Sequence, residues 1–164
     1  MDMQQASTQA TMDVAARTAE VVDGLKSLEG PLLPILHGIQ REFGYVPDES
    51  LPLIANALNL SRAEVYGVVT FYHDYRRAPA GRHVLKLCQA EACQSMGSDA
   101  VAAKIKQTFG IGFHETSKDG SVTLEPVYCL GLCACSPSAM LDGEVIGRID
   151  DPDAFDQIVT AVRA

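Results

Sequence analysis

The stretch RRAPAGRHVLKLCQAEACQSMG, residues 76–97, is where the chain changes its period. Residues 76–81 hold Ala, Pro and Gly with no apolar pattern, and read as a linker that leaves Arg76 and Arg77 solvated. Residues 82–87 are rich in β-formers and run straight into Cys88, with Cys93 following after four residues. The fold is expected to divide at this point, with helices before it and a sheet after it.

Upstream, every apolar pattern is helical. Val14, Thr18, Val21, Leu25 and Leu28 share one face of a helix starting at residue 11 and ended by Gly30-Pro31. Leu32, Leu36, Ile39 and Phe43 make a second stripe, with Gly44 as its C-terminal cap. Asp48 is expected to cap a third helix bearing Leu51, Ile54 and Leu58. Ser61 and Glu64 form a capping box for a fourth, with Val65, Val68, Val69 and Tyr72 on one face. Four short amphipathic helices imply a small bundle over residues 12–80. Tyr66, Phe71, Tyr72 and Tyr75 are expected to pack within it, with an aromatic docking surface as the alternative. Residues 1–11, rich in Gln, Ser, Thr and Ala, have little to bury and are expected to be a disordered tail.

Downstream, Ser98 is placed to cap a helix carrying Val101, Ile105 and Phe109, closed by Gly110. Residues 122–128 read as a strand in which Pro126 marks an edge or a bulge. Asp142-Gly143 between two apolar runs is a two-residue hairpin signal. Asp151-Pro152 opens a last helix with Phe155, Ile158, Val159 and Val162 on one side. The order β-α-β-β-α gives an open α/β unit over residues 81–164.

Composition narrows the function. A net charge of −8 is spread evenly, so no basic surface is available for nucleic acid or anionic lipid. The N-terminus lacks a basic segment followed by an apolar run, and no stretch approaches the ~20 apolar residues that span a bilayer. A cytoplasmic protein without direct membrane insertion is expected. In that compartment thiols stay reduced, and an odd count of five cysteines fits a disulfide framework poorly.

Four of those cysteines form two spaced pairs, Cys88/Cys93 and Cys129/Cys133, each just after an expected strand. Loops leaving the same end of a sheet would bring four thiolates together from two segments. Zinc and an iron–sulfur cluster both accept four thiolates. Intra-pair loops of four and three residues suit the larger iron–sulfur object better than a zinc knuckle. Ala90, Ala92, Gly131 and Ala134 would let backbone amides approach the sulfurs. Spacing alone favours iron–sulfur and leaves a zinc-stapled interaction module open. Thiol–disulfide catalysis is disfavoured, since there is no C-x-x-C pair. His37, His73, His83 and His114 are scattered and read as structural or surface residues. Gly110-Ile-Gly112 is a lone G-x-G, read as a turn and not a nucleotide fingerprint.

HGIQREFGYVP (37–47), SRAEVYGVVTFYHDY (61–75), CQAEACQSMG (88–97) and CLGLCACSP (129–137) together resemble the 24-kDa-type subunit family. Its members include a peripheral subunit of respiratory complex I and subunits of NAD-reducing hydrogenases and NAD-dependent formate dehydrogenases. The resemblance covers residues 12–164. It implies a helical bundle followed by a thioredoxin-like domain holding one [2Fe–2S] cluster, with Cys88 and Cys93 on one iron and Cys129 and Cys133 on the other. Cys135 is then a surplus thiol packed near the cluster. The two cysteine loops are most similar to the gamma subunit of molybdenum-dependent formate dehydrogenases, which implies an electron-transfer part of such a complex. The corresponding subunit of NADH-quinone oxidoreductase or of an NAD-reducing hydrogenase is the alternative. FMN, NAD and the molybdenum cofactor are expected only in partner chains: a flavin/NAD-binding subunit and a further iron–sulfur and molybdenum subunit.

Overall fold

The computed structural model describes residues 3–164, with side chains from residue 13 onward. The chain forms two compact units, Met1–Pro79 and Ala80–Ala164. Among the described residues no helix is long and apolar enough to cross a membrane.

The first unit is four helices: α1 (Met3–Leu25), α2 (Leu32–Phe43), α3 (Ser50–Leu58) and α4 (Arg62–Phe71). Helix α1 takes in residues 3–11, which were expected to be a disordered tail; residues 1 and 2 of that tail lie outside the described residues. Ala, Gln and Met there are good helix formers, so local propensity supports a helix where there is little to bury. The same helix stops at Leu25, leaving Leu28 exposed. The core of the unit is Val22, Ile35, Leu36, Ile39, Leu51, Ile54, Val65 and Val69. Gly38 lets α1 approach closely, because a Cβ there would sit 2.6 Å from Val21 Cγ1.

The capping box forms as the spacing predicts: Ser61 Oγ accepts from the Glu64 N–H, and the Glu64 carboxylate accepts from the Ser61 N–H at 2.8 Å. Asp48 does not cap α3. Its carboxylate instead receives two hydrogen bonds from Arg77, whose guanidinium also lies over the Tyr66 ring, so Arg77 is held and not merely solvated. Of the four aromatics, only Tyr75 is buried; Tyr66, Phe71 and Tyr72 are exposed. The stripe that faces the core is Val65/Val69, and Tyr66 and Phe71 fall off that line.

The second unit is a sheet with helices packed on it. Its elements are β1 (His83–Cys88), α5 (Glu91–Ser95), α6 (Ser98–Phe109), β2 (Glu115–Thr116), β3 (Val122–Val127), β4 (Ser138–Leu141), β5 (Glu144–Gly147) and α7 (Pro152–Arg163). The strand order is β2-β3-β1-β4-β5, with β1 and β3 parallel and the other neighbours antiparallel. Leu85 and Leu87 on one face of β1 pack with Leu124, Ile105 of α6, and Phe155, Ile158 and Val162 of α7. Each such aliphatic side chain is worth ~1.5–3 kcal/mol when fully buried. The hairpin turns at Asp142 and Gly143, both at positive φ, as a primed two-residue turn requires. Asp151 caps α7 by accepting from the Asp153 and Ala154 N–H groups. Ser98 is not a cap but the first residue of α6, buried, with its hydroxyl accepting from Gln89. Pro126 sits in β3 beyond the reach of β2, which pairs only with Thr123 and Leu124, so its missing N–H costs no ladder bond on that side.

One turn carries a pH signature. Asp119 Oδ1 accepts from the Ser117 hydroxyl at 2.6 Å, the Ser121 hydroxyl at 2.8 Å and the Ser121 N–H at 3.1 Å. The Ser117 hydroxyl and then the Ser121 backbone and hydroxyl donors pull its carboxyl down to about 2. A carboxyl depressed on folding stabilises the fold above its ordinary value and loses that contribution as pH falls through the folded one. The stability difference between the wild type and Asp119→Asn is therefore expected to be constant above about pH 4 and to shrink towards pH 2. Urea midpoints measured across that range, with an NMR titration of the Asp119 carboxyl carbon, check it. A midpoint near the ordinary carboxylate value would contradict it.

Candidate metal centre

The parallel pairing of β1 with β3 is what builds the site. Parallel strands end at the same edge of a sheet, and the register aligns Cys88 with Val127. Cys88 is thus the last residue of β1, and Cys129 lies two residues past its neighbour on β3. The Gln89 N–H donates to the Val127 carbonyl at 2.8 Å and ties the two exits together. Beyond β1, the short helix α5 carries Cys93 back against the sheet. Beyond β3, Gly131 turns the chain at φ +80°, and a 3-10 turn spans Cys133–Cys135.

The two pairs differ in setting. Cys88 and Cys93 are buried. Cys129 and Cys133 are exposed, with sulfurs 3.8 Å apart. All five thiols are free. Cys129 has φ +86°, a left-handed backbone that only glycine adopts without strain, at a cost of ~1–3 kcal/mol. The Gly131 N–H points at the Cys129 sulfur at 3.4 Å, a backbone donor of the kind the small loop residues led us to expect.

The thiols feel one another's charge. Cys133 is pushed above its ordinary value by its hydrogen bond to Cys129 and by the Cys129 thiolate, with smaller contributions from burial and from Cys93 and Cys88. Burial also pushes the Cys93 thiol up, but hydrogen bonds with the Ser136, Ser138 and Cys88 side chains outweigh it and leave Cys93 below its ordinary value. A donor set that repels itself on ionisation is one that a cationic centre would stabilise. Among the described residues no three His, Cys, Asp or Glu side chains converge on a single ion position. Two cysteine pairs supply the four thiolates that a two-iron centre would take, one pair per iron.

Two of the four histidines have partners of their own. His83 Nδ1 lies 2.7 Å from an Asp142 carboxylate oxygen, and the His37 ring is tilted against Tyr75. The G-x-G is a turn: Gly110 closes α6, and the Gly112 N–H donates to Glu115 at 2.6 Å. Cys135 keeps its side chain against Gly147 of β5, while its carbonyl accepts from the Arg148 N–H at 2.7 Å. Sequence reasoning missed Ser136 and Ser138, whose hydroxyls lie 3.5 and 3.6 Å from Cys93 Sγ. Serine beside a cysteine motif carries no signal until β4 is folded against α5.

A five-stranded sheet packed with helices, its parallel strands ending at two cysteine-bearing loops, has the arrangement of a thioredoxin-like iron–sulfur domain. The chain belongs to the thioredoxin-like [2Fe–2S] ferredoxin family, which it matches over residues 18–163. It is 37% identical over 123 residues to an NADH-quinone oxidoreductase subunit of Pseudomonas aeruginosa, covering 75% of this chain and 74% of that one. It is 34% identical over 133 residues to the HndA subunit of the NADP-reducing hydrogenase of Solidesulfovibrio fructosivorans, covering 79% and 78%. The crystal structure of an NAD+-reducing [NiFe]-hydrogenase in its H2-reduced state shares the fold, with a TM-score of 0.68 at 20% identity. That likeness covers 80% of this chain but only 22% of the hydrogenase chain.

Proposed function

We propose that this chain is the [2Fe–2S] electron-transfer subunit of a cytoplasmic NAD-linked oxidoreductase complex, of the NADH-quinone oxidoreductase or NAD-reducing hydrogenase type. The observation that supports the reading is that β1 and β3 run parallel and end together, one at Cys88 and the other two residues before Cys129, whose sulfur lies 3.8 Å from that of Cys133. Cys88 and Cys93 would hold one iron and Cys129 and Cys133 the other. Such a cluster, when bound, supplies one-electron transfer at low potential. The protein's part is to hold the sulfurs, to supply the Gly131 N–H to Cys129, and to leave the second pair exposed where a redox partner can approach. Flavin, NAD and the second substrate belong to other chains, first among them a flavin/NAD-binding subunit.

The formate assignment rests on the two short cysteine loops, whereas the Pseudomonas and Solidesulfovibrio relatives support the NADH-quinone and hydrogenase alternative. A molybdenum subunit is a partner only if formate is the donor. Isolating the complex on a tagged copy of this chain decides among them. Reduction of its [2Fe–2S] EPR signal by NADH, by hydrogen or by formate identifies the donor. A chain that co-purifies with no flavin subunit and is reduced by none of the three would overturn the reading.

A further inference from the structure

Ser136-Pro-Ser138 leads into β4, the first strand of the hairpin, and both hydroxyls face one sulfur. Ser138 is 1% exposed and Ser136 7%, so neither hydroxyl is solvated, and a buried hydroxyl requires a partner. The two are not equivalent. A serine hydroxyl has one proton to give. The Ser136 hydroxyl donates that proton to the Cys133 carbonyl at 2.8 Å, so towards Cys93 it acts as an acceptor of the thiol S–H. The hydroxyl of Ser138 has Cys93 Sγ, at 3.6 Å, as its partner among the described residues. When Cys93 loses its proton and binds iron, it has nothing left to donate to Ser136. Ser138, whose proton is uncommitted, becomes the natural donor to the thiolate. The strand fixes it there: Ser138 pairs with Gly147 of β5, and the next residue, Ala139, pairs with Leu87 of β1 and Ile146 of β5.

We propose that Ser138 is a positioning residue that raises the reduction potential of the cluster by donating its hydroxyl proton to the Cys93 sulfur. The inference rests on the assignment of Cys93 as a ligand. Reduction adds one electron, taken from the partner's reduced flavin, and no proton moves; Ser138 keeps its proton on oxygen throughout. The added negative charge spreads partly onto the ligand sulfurs, so a donor on one of them favours the reduced state. In a dry site that donor counts for more than it would in water. Ser136 contributes less, because it must abandon the Cys133 carbonyl to do the same.

The experiment is potentiometric EPR on the full chain and on Ser138→Ala, Ser138→Thr and Ser136→Ala, with iron and labile sulfide measured on each. Ser138→Ala is expected to keep its cluster and to shift to a more negative potential. Ser138→Thr should return towards the wild-type value, and Ser136→Ala should shift less. Resonance Raman should show an altered Fe–S(Cys) stretch in Ser138→Ala, a change that loss of packing alone would not reverse in Ser138→Thr. An unchanged potential in a fully loaded Ser138→Ala overturns the proposal. Should that variant load poorly, Ser138→Thr against Ser138→Val compares near-isosteric side chains with and without the hydroxyl, and equal potentials overturn it. Full cluster content in Cys93→Ala would instead overturn the ligand assignment beneath it.

Discussion

Replacing any one of Cys88, Cys93, Cys129 or Cys133 by serine is expected to strip the chain of most of its iron and labile sulfide, while Cys135→Ser keeps both. The wild type should carry two of each and be reddish-brown, as the family cofactor requires. The expectation follows from where the sulfurs lie. Cys129 and Cys133 face each other at 3.8 Å, and Cys88 and Cys93 lie buried at the end of β1 and on the short helix that follows it, so each pair is carried by its own stretch of chain. On the proposed ligand assignment, removing one cysteine would leave an iron with a single protein thiolate, and serine oxygen is a harder, poorer match for that site. The two pairs should not respond alike. Cys88 and Cys93 are buried, so serine there also leaves a hydroxyl in a dry setting, at ~1–3 kcal/mol if unsatisfied. Cys129→Ser and Cys133→Ser sit in the open, and the apo-chain should keep near wild-type thermal stability. The Cys135 Cβ lies against Gly147 of β5, so the EPR spectrum of Cys135→Ser should be near normal. A normal spectrum in Cys133→Ser together with a lost one in Cys135→Ser would reverse the assignment.

The elements that were legible in the sequence are those governed by local chemistry. The Ser61–Glu64 box, the Gly44 and Gly110 helix ends, the Asp142-Gly143 turn and the Asp151 cap each depend on residues within one turn of one another. The common exit of the two cysteine loops was legible for a different reason: the two strands of one parallel pair end together, whatever fills the loops. What escaped depends on contacts that no local pattern encodes. Asp48 had the right type and position to cap α3, but Arg77, 29 residues away, offers two charged donors and takes its carboxylate. Helix α5 has no side-chain cap and only five residues, too short for periodicity to show. Strand β2 is two exposed residues that exist only as a ladder on β3. Ser136 and Ser138 reach Cys93 across more than 40 positions. The identity of the electron donor is harder still, since the donor site would lie on other chains and leaves only faint traces in the cysteine loops.

Gly147→Ala is expected to lower cluster occupancy sharply although residue 147 is no ligand and bears no side chain. An added Cβ would sit 2.7 Å from Cys135 Cβ and 2.9 Å from the Cys135 carbonyl oxygen. Neither neighbour is the tip of a flexible side chain that could rotate aside. Both belong to the 3-10 turn Cys133–Cys135, so the turn itself must move. Two further bonds make that move costly. The Arg148 N–H donates to the Cys135 carbonyl at 2.7 Å, and the Cys135 N–H donates to the Leu132 carbonyl at 2.9 Å. Overpacking of this kind costs ~1–3 kcal/mol, and here the relief comes from displacing the segment that carries Cys133. The sulfur 3.8 Å from Cys129 is therefore the one that shifts. Iron and sulfide content should fall well below that of the wild type under identical reconstitution, with the far-ultraviolet circular dichroism of the chain preserved. Gly112→Ala is the control: a Cβ there meets only the Glu115 carboxylate, at 3.3 Å, which lies at the end of a flexible side chain. That variant should load like the wild type. Equal cluster content in Gly147→Ala and Gly112→Ala would show that the turn is not held by its contact with β5, and that Cys133 finds its place by binding iron.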